Sequence, residues 1–177
     1  MRKVLFILGQ LSDEDVLWIA RAGRPMEAAA GQALITMGRK IDDVVIVLDG
    51  KVQVSVGGQV LARLGRGEIL GEMSLIEDAL PSANATTMGP AALLLVPIAA
   101  LREKLAADTA FAARFYKAVA LFLSDRMRGT VAQLGYGEVP RFDELNELDG
   151  AVMDSLHLAG QRFLSILDSM MASHERQ

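Results

Sequence analysis

Residues 65–76 read Gly-Arg-Gly-Glu-Ile-Leu-Gly-Glu-Met-Ser-Leu-Ile: a glycine-punctuated apolar segment running into a short helical signal with an acid in its first turn. Helix starts leave backbone N–H groups unpaired and carry partial positive charge, and glycines let a ligand approach the main chain. The stretch therefore has the makings of a small anion pocket. Its surroundings are short of cations, because after Arg66 the next Lys or Arg is Arg102.

Upstream, Ser12 with Asp15 forms a capping-box-like start, and Val16, Leu17, Ile19 and Ala20 give the apolar face of a helix ending near Gly23, with Pro25 closing it. From there to about residue 96 the signals are those of strands. Val44 to Leu48 is an apolar run, Asp49-Gly50 reads as a hairpin turn, and Val52, Val54 and Val56 alternate with Gln53 and Ser55. Gly57-Gly58 turns the chain again, and Val60 to Leu64, Asn84 to Met88 and Leu93 to Val96 read as further strands. This middle third is expected to be a compact antiparallel roll.

After Pro97 the pattern becomes helical. Phe111, Phe115, Ala118 and Phe122, continued by Leu123, Met127, Val131 and Leu134, predict a long helix over about 108–134, stopped by Gly135-Tyr136-Gly137 and Pro140. A last amphipathic segment carries Leu145, Leu148, Val152, Leu156, Ala159, Phe163, Ile166 and Met170 on one face. The expected class is α+β: an antiparallel, jelly-roll-like β-roll (a double-stranded β-helix) with an N-terminal helix and long C-terminal helices. Two parts are expected, 1–135 for the roll with its long helix and 136–177 for a helical extension.

The 177 residues suit one domain with a real core, at 51% hydrophobic and 23% charged residues. A net charge of -4, with both signs interspersed, gives no general attraction to nucleic acid or anionic membranes. The absence of Cys excludes disulfides, thiol catalysis and Cys-ligated metal, and fits a reducing cytoplasm. No stretch has the roughly 20 apolar residues that span a bilayer, and the short apolar run after Arg2-Lys3 lacks a cleavage site. His157 and His174 have no metal-ligand spacing, and nothing brings a nucleophile, a base and an orienting group together. The expectation is a soluble, metal-free, non-catalytic protein.

In order, Gly31, Gly38, the strands around Asp49-Gly50, the run from Leu64 to Ile76, Pro81-Ser82-Ala83-Asn84 and Val96-Pro97 resemble the cyclic nucleotide-binding domains of catabolite activator proteins, kinase regulatory subunits and gated channels. The likeness covers about residues 5–135. It implies cAMP or cGMP as the ligand. Glu72 matches the acid that binds the ribose 2′-OH, and a carboxylate acceptor suits that hydroxyl. Gly71, Met73 and Ser74 match the groups that present backbone N–H and hydroxyl to the cyclic phosphate, and Ser82 and Ala83 match the small residues closing over it. Arg126 and Thr130 match positions that brace the acid and touch the purine edge.

One position departs from the pattern. Pro81 stands where the family has the arginine that pairs with the cyclic phosphate, and proline offers neither a side-chain donor nor an N–H. A charge-assisted hydrogen bond contributes about 1.5 to 3 kcal/mol, so affinity should be weaker by roughly ten- to a hundredfold. Arg63, Arg66 and Arg126 are the candidate replacements. The resemblance also implies a homodimer paired through the long helix, which transmits binding to a partner protein. Residues 138–177 carry three basic residues against eight acids, which argues against a DNA-binding helix. The alternative is a ligand-free dimerisation or interaction domain that kept the roll and lost the nucleotide.

Overall fold

The computed structural model describes residues 9–133, apart from the side chains at 125, 130, 132 and 133. The order is α1 (Asp13–Ala22), β1 (Arg24–Ala28), β2 (Ala33–Ile35), β3 (Asp43–Asp49), β4 (Val52–Val56), β5 (Gln59–Leu64), β6 (Ile69–Leu70), α2 (Glu72–Glu77), β7 (Asn84–Thr87), β8 (Ala91–Pro97), α3 (Ile98–Ala107) and α4 (Thr109–Gln133). The expected extension over 136–177 lies outside the described residues.

The strands form two antiparallel four-stranded sheets, β1-β8-β3-β6 and β2-β7-β4-β5. Strand periodicity decides which side chains go where. On β3 and β8, Val45, Val47, Leu93 and Leu95 point between the sheets with Ile35, Val52, Leu64, Leu70 and Ala85. Their alternates Val44, Leu48, Leu94 and Val96 face the helices, packing with Val16, Ile19, Leu101, Phe111, Phe115 and Phe122. Both faces of β3 and β8 are thus buried, which explains why these strands read as unbroken apolar runs, whereas β4 alternates.

Several expectations hold at the level of single residues. Ser12 caps α1 in a full capping box, its hydroxyl accepting from the Asp15 N–H while the Asp15 carboxylate accepts from the Ser12 N–H. Gly57 and Gly58, with φ of +56° and +83°, turn β4 into β5 in a true hairpin. Asp49-Gly50 does not make a hairpin, and this corrects the sequence reading. β3 pairs with β8 and β6, while β4 pairs with β5 and β7, so this turn carries the chain from one sheet to the other. Gly50, at φ +90°, lies so close to Pro90 and Ala91 that a Cβ would sit 2.7 Å from the Pro90 carbonyl oxygen. The glycine answers a close approach at a sheet crossing, and in sequence that demand looks like a hairpin.

Two ion pairs orient the helices around the roll. Arg114 on α4 donates bidentately to the buried Asp15 carboxylate, at 2.6 and 2.9 Å, fastening α4 to the first turn of α1. Burial raises the Asp15 carboxyl, but the hydrogen bonds from Arg114 and Ser12 outweigh it and hold the group below its ordinary value. Arg102 on α3 donates to Asp78 Oδ1 at 2.6 Å and to the Ser74 carbonyl at 3.4 Å. It thereby pins the C-terminal end of α2, where Asp78 takes the left-handed conformation at φ +54°.

Candidate functional site

The site is built around the reversal from β6 into α2. Gly71 caps α2 at φ +84°, in the left-handed region that glycine occupies without penalty. A Cβ there would meet Ile41 Cδ1 at 2.7 Å and the Asp43 carbonyl at 3.3 Å, so the helix start is pressed against the beginning of β3. Glu72, the first residue of α2, is 2% exposed.

A buried carboxylate needs partners, and α4 supplies one. Arg126 Nη1 donates to Glu72 Oε1 at 2.8 Å, and its Nη2 donates to the Ile69 carbonyl at 3.2 Å. The guanidinium also lies over the Phe122 ring, 4.5 Å from its centroid. Burial pushes the Glu72 carboxyl up, and the Arg126 charge offsets only part of this, leaving it above its ordinary value.

Glu72 and Arg126 line an open cleft between the α2 start and β7. Gly71, Met73, Ser74, Ser82 and Ala83 line it as well, so seven of the eight residues picked from sequence share one cavity. Thr130 lies on α4, with its side chain outside the described part. Sequence reasoning missed Ile35, Val54, Leu70, Asn84 and Ala85, which also line the cleft. Ile35 and Leu70 sit on strands of three and two residues, too short to show a period, and Asn84 was read as a strand start and as the end of the Pro81–Asn84 run but given no part in the site.

The chemistry of the walls is uneven. The α2 start contributes Glu72, paired with Arg126 from α4, and Ser74, and the remainder of the lining is mostly apolar. Pro81 lines the cleft at the expected position. Arg126 is the only cation in the wall among the described residues, and neither Arg63 nor Arg66 reaches the lining.

The roll thus carries a short helix between β6 and β7 and two helices after β8. Residues 25–108 match the family model of the cyclic nucleotide-binding domain, and the chain carries a domain of that family. A solved cyclic nucleotide-binding domain from Methylobacillus flagellatus superposes with a TM-score of 0.67 at 23% identity, over 79% of this chain and 85% of that one. The structure titled "Sp-2Cl-cAMPS bound to PKAR CBD2" superposes at 0.60 with 14% identity, over 74% and 84%. At those identities the likeness establishes the fold. Among curated proteins, the Pycsar effector protein XpPycTIR of Xanthomonas perforans is 38% identical over 65 residues, 37% of this chain and 22% of that protein. The chain matches less than a quarter of that relative's length.

Among the described residues no group of three or more His, Asp or Glu is placed to hold a metal ion, and no helix is long and apolar enough to cross a membrane.

Proposed function

We propose that the chain is a non-catalytic regulatory module that takes up cAMP or cGMP in the Glu72 cleft and passes occupancy to α4. The observation that carries this reading is the Glu72–Arg126 pair. The carboxylate matched to ribose recognition is also an ion-pair partner of the long helix. A ribose hydroxyl donating to Glu72 adds a partner to a carboxylate that Arg126 alone does not fully compensate, so the ligand has a differential interaction with alternative positions of Arg126. In this account Gly71, Met73 and Ser74 face the cyclic phosphate, Ser82 and Ala83 close over it, and Thr130 lies toward the base.

The remaining features belong to the same proposal. The module works as a cytoplasmic homodimer, 1–135 forming the sensor and 136–177 presenting the amphipathic surface to a second subunit or a partner protein. Pro81 favours a second reading, a roll that has lost its ligand and serves only for dimerisation and protein contact.

Calorimetric titration separates the two. Wild-type protein should give saturable heat with cAMP or cGMP below millimolar concentration, and Glu72→Ala should lose most of it. No heat at millimolar ligand, from a protein that melts cooperatively, would leave the ligand-free reading standing.

A further inference from the structure

The charges that line the cleft cancel. Among the described residues Glu72 is the one anion of its wall and Arg126 the one cation, and the two are paired at 2.8 Å. Arg126 donates its other terminal nitrogen to the Ile69 carbonyl, and from Gly67 through Leu101 the chain contains no Lys or Arg. A phosphodiester stays anionic throughout the physiological pH range. A cyclic nucleotide therefore brings into this wall a negative charge that no lining cation matches.

The α2 start offsets that charge only weakly. With six residues the helix aligns few peptide dipoles, and the Glu72 carboxylate sits in its first turn and accepts from the Glu72 N–H. Burial already holds this carboxylate above its ordinary value, so the cleft is short of positive charge before any ligand enters. Pro81 and Ala83 add none, and Ser74 and Ser82 offer neutral hydroxyls.

The donors of the ligand point the same way. In a 3′,5′-cyclic nucleotide the 3′ and 5′ oxygens are esterified, and only the 2′-OH of the ribose can donate. A nucleoside presents the cis 2′,3′-diol, two donors side by side for one carboxylate, and a neutral 5′-OH in place of the phosphate. Glu72 has room for both donors, because a carboxylate offers about four lone-pair sites, and Arg126 and the Glu72 N–H occupy only part of them.

Resting on the reading of Glu72 as the ribose acceptor, we infer that the cleft prefers an uncharged ribonucleoside, with the cyclic nucleotide as the weaker ligand of the same site. Glu72 takes the diol, and the segment at 81–83 faces the neutral 5′ end. Proline at position 81 then sets the ligand class: it removes a charge that only a phosphate would use.

The test titrates wild type, Pro81→Arg and Glu72→Ala calorimetrically with adenosine, guanosine and the 3′,5′-cyclic monophosphate of each. Wild type should bind the better nucleoside more tightly than its cyclic monophosphate. Pro81→Arg should strengthen the cyclic ligand by about tenfold or more while nucleoside affinity stays within about threefold, and Glu72→Ala should weaken the nucleoside by about tenfold or more. Thermal melts of the variants exclude unfolding as the cause. A wild type that binds the cyclic monophosphate as tightly as the nucleoside, or more tightly, would overturn the inference and leave the cyclic nucleotide reading standing. The same preference in wild type and Pro81→Arg, or nucleoside binding untouched by Glu72→Ala, would overturn it too. No heat from any of the four ligands, with a protein that melts cooperatively, would bring down both readings.

Discussion

Arg126→Ala should lower folding stability by about 3 kcal/mol, measured as a drop in the urea midpoint at unchanged m-value. Glu72 is 2% exposed and takes its charged hydrogen bond from Arg126, whose side chain is 26% exposed. Removing the guanidinium strands a buried carboxylate, and the loss of packing on Phe122 adds to the cost. The pH dependence follows from the direction in which Glu72 is shifted. Burial holds its carboxyl above the ordinary value even with Arg126 present, and without Arg126 burial is opposed only by a backbone hydrogen bond. The folded state then holds a proton that the unfolded state releases, so stability falls as pH rises from about 4.5 through the raised value. The deficit of Arg126→Ala should therefore be largest at neutral pH and shrink toward pH 4.5. Combining it with Glu72→Gln should recover part of the loss, since a neutral amide is cheaper to leave buried. A deficit independent of both pH and the Gln substitution would mean that the pair does not hold α4 to the roll.

Gly71→Val should be of similar size, at least about 2 kcal/mol, and should also remove cyclic nucleotide binding. Two costs combine. A β-branched residue at φ +84° is strained by about 1 to 2 kcal/mol, and its Cβ falls 2.7 Å from Ile41 Cδ1 and 3.3 Å from the Asp43 carbonyl. The Ile41 side chain can turn away, whereas the carbonyl belongs to β3 and cannot. Gly38→Ala is the matched control, with φ +73° and open space where its Cβ would go. It should cost only the backbone strain. Equal losses at the two positions would show that α2 is not pressed against β3.

What was legible in the sequence was whatever a local pattern fixes. The capping box of α1, the Gly57-Gly58 hairpin and the Phe stripe of α4 are each set by neighbours within a few residues. The cleft was legible for a different reason: Gly71, Glu72, Met73 and Ser74 are contiguous and follow one another through a single turn. Long-range demands were not. Gly50 serves a sheet crossing that only the pairing of β3 and β4 with other strands reveals, and β2 and β6 are too short to carry a period. The link between the β2–β3 loop and Pro81 was not legible either, because it is a backbone hydrogen bond from the Gly38 N–H across more than forty residues. Arg102, likewise, gave no sign in sequence that it would hold the end of α2.

The central claim is that occupancy of the Glu72 cleft moves α4. The chain has no Cys, so a spin-label pair at Met88→Cys and Met127→Cys, both exposed in the structure, reports one distance from roll to helix. Saturating cAMP should shift that distance distribution, and Glu72→Ala should abolish the shift. A distribution unchanged while calorimetry shows the cleft filled would contradict the account.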